Sequence, residues 1–562
     1  MKQFNTMYIW WIVVVMGFSA QSHAFVTVGQ GVDCDYDNLE EAYLSADPFV
    51  RVTSESAFDD VFTITKAKWF TGGYDTCADA ENGVIGNNKT KWRRLNGGTV
   101  VDIDANQAAQ SIVVIDQFEI FGGENLTVGE VGGIKVSGKS SLLLSNSEVY
   151  DNVGIDGGGL QVSGSDAVVI LTDVNIRNNI ANVYGGGIFC TDQATVSILG
   201  DSSINNNSAD LAGGGIYATE QCDVTSNSGD TLAALQSTTG IRSNEADFGG
   251  GVYLSDGATM QLEGNDEHPA SVIFNIADGD GGGIYLEGQG TKLTGVNARI
   301  DLNVAQEYGA GFAVYDFAVV KLSRLNTPCW DDVSCSSLSH NILMAADGKG
   351  GAADIYDAAV ANISQTYISN NKANLAALFN VDSASYLRLE GNLIVDNRHW
   401  NDDTDTTLMR MVGEAAGLDF FYNTLADNTS NSVVFLDSDS QHWLSIHNSI
   451  IQHQTTLDQN QNTNNLIEVD CVFLSEENSL TGNIGAVLLS DPGLVGNGDY
   501  SLSSNSDAID LCDEQTFVGS SYNDIMGNAR GFDDPQVNNF LGPYDAGAFE
   551  YNNDVIFTNG FE

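Results

Sequence analysis

Two stretches decide how this sequence is read: Asn179-Ile-Ala-Asn-Val-Tyr-Gly-Gly-Gly-Ile-Phe189 and Asn207-Ser-Ala-Asp-Leu-Ala-Gly-Gly-Gly-Ile-Tyr217. Each opens on an asparagine, reaches the last glycine of a cluster eight residues later, and closes on an apolar–aromatic pair. The unit recurs along the chain as Val-Gly-Gly-Ile (131–134), Asp-Gly-Gly-Gly-Leu (156–160), Phe-Gly-Gly-Gly-Val-Tyr (248–253) and Asp-Gly-Gly-Gly-Ile-Tyr (280–285). Looser copies are Tyr-Gly-Ala-Gly-Phe-Ala-Val-Tyr (308–315) and Gly-Lys-Gly-Gly-Ala-Ala-Asp-Ile-Tyr (348–356). From Gly133 to Gly351 the last glycines are 26, 28, 28, 36, 32, 28 and 40 residues apart. Asn152, Asn179, Asn207, Asn244, Asn275, Asn303 and Asn341 stand ahead of them, all at seven or eight residues except Asn341 at ten.

Fixed-period self-similarity is the mark of a solenoid or a propeller. A propeller blade takes about 40–50 residues and carries Trp-Asp or kelch signatures; none recurs here at the repeat period. One coil of a parallel β-helix takes roughly 20–30 residues, as short strands joined by turns. At its corners stacked backbones crowd one another and often need φ > 0, both of which glycine tolerates. An asparagine at a corner can bond to the backbone and stack on the asparagine of the next coil. Stretches such as Val168-Val-Ile-Leu171 and Ala194-Thr-Val-Ser-Ile-Leu199 have the length and β-branching of strands. The fold class expected is therefore all-β: a right-handed parallel β-helix whose longer steps are insertions at one corner. The strand-then-asparagine ending persists at Asn371, Asn397 and Asn428, and His447-Asn-Ser-Ile-Ile451 reads as a further rung.

Around this core the chain divides into five parts. Residues 1–24 have the charged start, apolar run (Met7–Phe18) and small-residue cleavage site of a secretory signal, with Ser22 at −3 and Ala24 at −1. Residues 25–60 form an N-terminal cap: Asp37-x-x-Glu40 starts a short helix whose Leu39, Ala42, Tyr43 and Ala46 share one face before Pro48. The solenoid is placed at 61–490, with first strands at Phe62–Phe70 and Val100–Ile103, a C-terminal cap module at 491–551, and a tail at 552–562. No later segment is apolar and long enough to span a bilayer, which takes roughly 20 residues.

Lys+Arg is 22 against Asp+Glu 75, a net charge of −53. With 42% hydrophobic residues the acid belongs on the surface of a folded body, not in a disordered one. Such a surface repels nucleic acid and anionic polysaccharide and attracts divalent cations, so no nucleic-acid partner is expected. Cys34, Cys77, Cys190, Cys222, Cys329, Cys335, Cys471 and Cys512 contain no C-x-x-C pair and suit an oxidising compartment. Proximity suggests the pairings 34–77, 190–222, 329–335 and 471–512.

The Gly-Gly-Gly-Ile repeats followed by Asn179-Ile-Ala181 and Asn207-Ser-Ala209 resemble those of chlamydial polymorphic outer membrane proteins and of secreted β-helix proteins of the pectate-lyase-like superfamily. The likeness covers about residues 130–380 and implies fold rather than activity. Asp491-Pro-Gly-Leu494, Asp507-Ala-Ile-Asp510, Gly527-x-x-Arg530 and Gly542-Pro-Tyr-Asp-Ala-Gly-Ala-Phe-Glu-Tyr551 resemble, in this order, the end of choice-of-anchor Q domain proteins. Ser506-Asp507-Ala508 lacks the proline usual there. This resemblance implies location in the extracellular space or on the cell surface of a Gram-negative-type bacterium. Asp554-Val-Ile-Phe-Thr-Asn-Gly-Phe-Glu562 is similar to a short terminus of other secreted proteins, read as a sorting tail or a frayed end. No autotransporter barrel pattern follows the solenoid.

The chemistry is sparser. Polygalacturonase-like enzymes carry Gly-His-Gly and Arg-x-Lys motifs, neither of which occurs, and the Asp-Asp pairs are what so acidic a chain contains by chance. No catalytic residue is assigned. The richest candidate is a polar loop with Arg398, His399, Trp400, Asp402, Asp403 and Asp405, where an aromatic beside carboxylates would suit a sugar; the alternative is a plain corner insertion. Lys89, Lys91 and Arg93 would share a strand face, to grip a carboxylated ligand or to pair with neighbouring acids. No cofactor is required, although Asp278-Gly-Asp280 leaves room for a single calcium ion. The function expected is non-catalytic and adhesin-like, binding a glycan or other surface along a side face. The alternative is a polysaccharide lyase or glycoside hydrolase with an atypical site.

Overall fold

Alternation of apolar and polar residues, repeated at the coil period, gives each strand one face for a central core and one for the outside. The computed structural model stacks these strands into a right-handed parallel β-helix with parallel sheets of 31, 14 and 10 strands, here A, B and C. Residues 25–551 are described, except 56, 106–109, 228–238, 266–268, 325–335, 401–405, 438–440, 454, 460–464, 475–482, 514–522, 535 and 538. One rung shows the plan. Ile188–Thr191 lies in sheet B, Thr195–Leu199 and Ser203–Asn205 form two files of sheet A, and Ser208–Ala209 lies in sheet C. The next glycine cluster then returns the chain to sheet B at Ile216–Ala218.

Three corner devices hold the rungs in register. The first glycine of a cluster turns the chain with φ > 0, as Gly185 does at +66°. The last is needed for space: a Cβ on Gly215 would lie 2.5 Å from Gly251 O and 2.8 Å from Asn244 Nδ2. The third device is the asparagine ladder. Asn179 donates from its backbone N and its Nδ2 (both 3.0 Å) to Asn207 Oδ1, and its Nδ2 also reaches Val149 O. The same pattern runs from Asn152 through Asn244, Asn275, Asn303, Asn341, Asn371 and Asn397 to Asn428, so the looser spacing of Asn341 leaves it in the ladder. In the longer coil steps the extra sequence falls between the two consecutive sheet A strands of a rung, Asp223–Ser226 and Gly240–Arg242, Thr259–Glu263 and Ala270–Ile273, and Val319–Ser323 and Ser337–Ser339.

The N-terminal helix is α1 (Leu39–Leu44), with Leu39, Ala42 and Tyr43 buried against the solenoid core. Its cap is Asn38, whose side chain accepts from Glu41 N, one residue later than the Asp37–Glu40 spacing implies. A second short helix, α2 (Cys77–Asn82), was not evident in the sequence. Sheet A starts at Phe25–Val28, paired in parallel with Phe49–Thr53, so the ladder begins before residue 61. The long strand expected at 62–70 is two strands, Thr63–Ile64 in sheet B and Lys68–Tyr74 in sheet A.

Disulfides join Cys34 to Cys77, Cys190 to Cys222 and Cys471 to Cys512, with Cα–Cα distances of 5.3, 6.0 and 5.7 Å. Cys329 and Cys335 lie outside the described residues. Among the described residues no helix is long and apolar enough to cross a membrane.

The C-terminal module lies along the flank of the solenoid rather than only across its end. Leu393, Val395 and Ala426, on the outer side of sheet A, are buried with Ile525 and Ala548. Ile450 and Phe473 are buried with Ala508, Ile509 and Leu511. Gln365 Nε2 donates to Asn523 O and Asp524 O, Ala548 N to Thr424 Oγ1, and Gly547 N to Asn448 O.

Candidate functional site

Strand alternation turns the second member of each apolar–aromatic pair outward on sheet B. Register then aligns these residues in one file: Lys135, Gln161, Phe189, Tyr217, Tyr253, Tyr285, Ala313, Asp354, Asn380, Arg410 and Phe435. From Phe189 to Tyr285 the rings stack with centroids 5.5, 5.0 and 4.8 Å apart and planes within 8°. Ring faces along this run are turned to one another, so the file offers its edges and hydroxyls to the outside. Tyr253 and Tyr285 both donate to Glu287, at 2.5 and 3.2 Å.

Beyond Tyr285 the file changes character. Ala313 interrupts the rings, and Tyr315 turns across Tyr285 at 85° and Tyr356 across Tyr315 at 78°. Tyr315 Oη lies 3.1 Å from Asp280 Oδ2 and is also hydrogen-bonded to Asp354. One phenol therefore bridges two carboxyl groups two sequence repeats apart. Burial, reinforced by the charge of Asp354, pushes Asp280 up to about 7. Burial likewise pushes Asp354 up to about 6, against the lowering effect of its bonds to Tyr315 and Asn380. The pair thus retains a proton near neutrality. Asn380 Nδ2 donates to Asp354 Oδ1 at 2.7 Å, whereas Asn380 Oδ1 and Asp280 Oδ1 are buried without a partner.

Arg410 follows Asn380 in the file. No hydrogen bond or ion pair to its guanidinium occurs among the described residues, although Asp382 and Asp437 are close enough to act on it electrostatically. Its Cζ lies 5.8 Å from the Phe435 ring centre. The neighbouring corner, between sheets C and B, carries Phe248, Tyr308 and Lys349, with Lys349 Nζ 5.8 Å from the Tyr308 ring.

Three of the six residues of the sequence-derived loop can be placed. Arg398 and His399 form a strand of sheet C, and Trp400 follows at the corner beside sheet B. Trp400 Nε1 donates to Leu343 O at 2.9 Å, fixing a ring that remains 44% exposed. His399 is half-buried, with Nδ1 3.2 Å from Asn374 O, and burial lowers its pKa. Asp402, Asp403 and Asp405 lie outside the described residues. The basic cluster is largely paired: Lys89 Nζ lies 2.9 Å from Glu148 and Arg93 Nε 2.8 Å from Asp59, while Lys91 is exposed. Asp278 and Asp280 are separated, the first exposed and the second buried. Among the described residues no three His, Cys, Asp or Glu side chains form a group able to hold a metal ion.

Sequence reasoning missed the sheet B file. The signal was present: an aromatic residue directly after the buried residue that closes each glycine cluster, repeated at the coil period, must point outward. The Asp280–Tyr315–Asp354 bridge had no such signal, because its members occupy different positions in their repeats.

The fold defines the class, a right-handed parallel β-helix with a laterally docked C-terminal module. No protein-family model matches the chain, and no curated protein shows significant similarity to it.

Proposed function

We propose that this chain is a secreted, surface-exposed, non-catalytic β-helix that binds a polysaccharide along the outer face of sheet B. The observation that carries the reading is the file from Phe189 to Phe435, in which the partly exposed Phe189, Tyr217 and Tyr253 and the partly exposed Arg410 and Phe435 flank a buried stretch from Tyr285 to Asn380. Neighbouring strands are about 4.8 Å apart, so an extended chain laid along the axis meets a new ring at each step from Phe189 to Tyr253. Carboxylates at Glu287 and Asp382 favour hydroxyl-rich neutral sugars or amino sugars over polyuronates. Export is supported by the signal-like residues 1–24 and by three disulfides, which persist in oxidising compartments. Surface location is supported by the likeness of residues 491–551 to choice-of-anchor Q domain ends.

A glycan array probed with and without Ca²⁺, followed by product analysis on every hit, tests the reading. Binding of a neutral or amino glycan, weakened at least about tenfold by Tyr356→Ala, is expected. Tyr356 is suited to this role because it is 44% exposed beside the file, with its ring against Tyr315. No binding to any glycan, or equal binding by the variant, would sink it. The second reading, a lyase or hydrolase, is favoured by one observation: two proton-holding carboxyls at Asp280 and Asp354 on the same face. The Tyr315 hydroxyl between them argues against it, since it occupies the place a scissile bond would need. Release of new chain ends from a bound glycan would establish the enzyme instead.

A further inference from the structure

Cations are scarce in this protein, 22 against 75 acids, and pairing them costs little. Several on sheets A and B are paired: Lys135 with Glu130, Arg177 with Glu148, Arg299 with Asp301 and Arg388 with Glu390. Sheet C sets two of them side by side. Lys372 and Arg398 are register partners on adjacent strands, so two positive side chains project side by side about 4.8 Å apart at the backbone. Neither makes an ion pair or side-chain hydrogen bond among the described residues. Lys372 feels the proximity: burial first, then the Arg398 charge, lower its pKa. Lys372 Nζ lies 5.0 Å from the centre of the Trp400 ring, which its bond to Leu343 O holds in place. Among the described residues Asp396, an exposed carboxylate, interacts electrostatically with Arg398.

Like charges held side by side, with no bonded counter-ion among the described residues, cost folding energy that an arriving anion would recover. From this juxtaposition we infer that Lys372, Arg398 and Trp400 form a binding site for a small oxyanion group, a sulfate or a sulfate ester on a sugar. The two cations take the oxygens, Arg398 offering its planar fork and Lys372 a mobile point charge. The Trp400 ring, exposed at the edge, lies beside whatever carries the ester. The inference does not rest on the glycan reading of sheet B, because the site is on another sheet and uses charge of the opposite sign.

Isothermal titration of the full chain at low ionic strength tests it, with galactose 6-sulfate, galactose and sodium sulfate as separate probes. Saturable binding of galactose 6-sulfate and none of galactose is expected. The double variant Lys372→Gln/Arg398→Gln should lose at least about tenfold in affinity, and Arg398→Lys should keep most of it. Both side chains point outward and their repulsion is removed, so circular dichroism should be unchanged and the melting temperature should not fall, which reports a folded variant. Sodium sulfate binding as tightly as the sugar ester would support the site and assign recognition to the ion alone. No saturation by either sulfated probe, or equal affinity in the double variant, would overturn the proposal.

Discussion

Asn244 illustrates how one side chain ties together the backbones of two rungs. Its Oδ1 accepts from Asn207 N and Nδ2, at 3.0 and 3.1 Å, and its Nδ2 donates to Ile204 O at 2.9 Å. Replacing it with alanine leaves two donors and one acceptor unpaired in a fully buried corner, at roughly 1–3 kcal/mol for each group that finds no water. Asn244→Ala should therefore destabilise the rungs on both sides by about 3 kcal/mol, read as faster amide exchange at Asn207 and Asn244; unchanged exchange would refute the ladder's role. Asp354 gives a different residue-scale prediction. Its pKa rises from an ordinary 3.8 to about 6 and that of Asp280 to about 7, so folding favours the protonated forms. The stability they contribute is full below about pH 4 and is lost as pH rises through 6 to 7. Asp354→Asn keeps the shape without the charge, and its melting temperature should fall less than that of the parent between pH 5 and 8. A steeper fall in the variant would contradict the assignment.

At the scale of the element, the solenoid was legible because each rung repeats the same local demands. Glycine clusters marked the corner before sheet B and asparagines the corner before sheet C, and apolar alternation marked the strands between them. The cap helix was legible as well, since Leu39, Ala42 and Tyr43 can be buried together only on a helix. The candidate site was less so. Its rings belong to the repeat, but the Asp280–Tyr315–Asp354 bridge depends on which irregular positions meet across rungs, which only the register reveals. Lys372 and Arg398 were hidden for the same reason: they are 26 residues apart in sequence and adjacent in sheet C. The ring file also makes a prediction at this scale. Tyr253 stacks between Tyr217 and Tyr285, so Tyr253→Ala removes two ring contacts and should cost about 2 kcal/mol. Thr191→Ala, on an outward position of the same sheet, should cost less than about 0.5 kcal/mol. Equal losses in urea unfolding would mean that the stack adds nothing beyond its exposed surface.

At the scale of the whole molecule, the lateral docking of residues 491–551 concentrates acid where water is scarce. Asp510, Asp524, Asp534, Asp545 and Glu550 are all buried, and one buried guanidinium, Arg530, acts on Asp524, Asp545 and Glu550. Arg530 stacks 4.1 Å over the Tyr422 ring of the solenoid, donates to Gly547 O and Ala548 O, and lies 3.8 Å from Glu550. One cation cannot balance these carboxylates. Burial, with Asp510 adding its charge, pushes Asp545 up to about 7, burial and Asp545 push Glu550 well up, and burial takes Asp510 to about 6. A raised pKa means that forming the folded, docked module binds protons. The grip is strongest in acid and weakens as pH rises through about 6 to 7, by about tenfold for each pKa unit traversed. The disulfide at Cys471 keeps the module tethered, so the change is a local opening and not a loss. Amide exchange at Gly547 and Ala548, which bond directly to the solenoid at Asn448 and Thr424, reads this opening. After correction for the intrinsic effect of pH, their protection should fall at least about tenfold between pH 5.5 and 8. The ladder amides of Asn207 and Asn244 should hold theirs, because no titratable group contributes to that corner. Constant or rising protection at Gly547 and Ala548 would show that Arg530 compensates the buried acids more fully than its geometry allows.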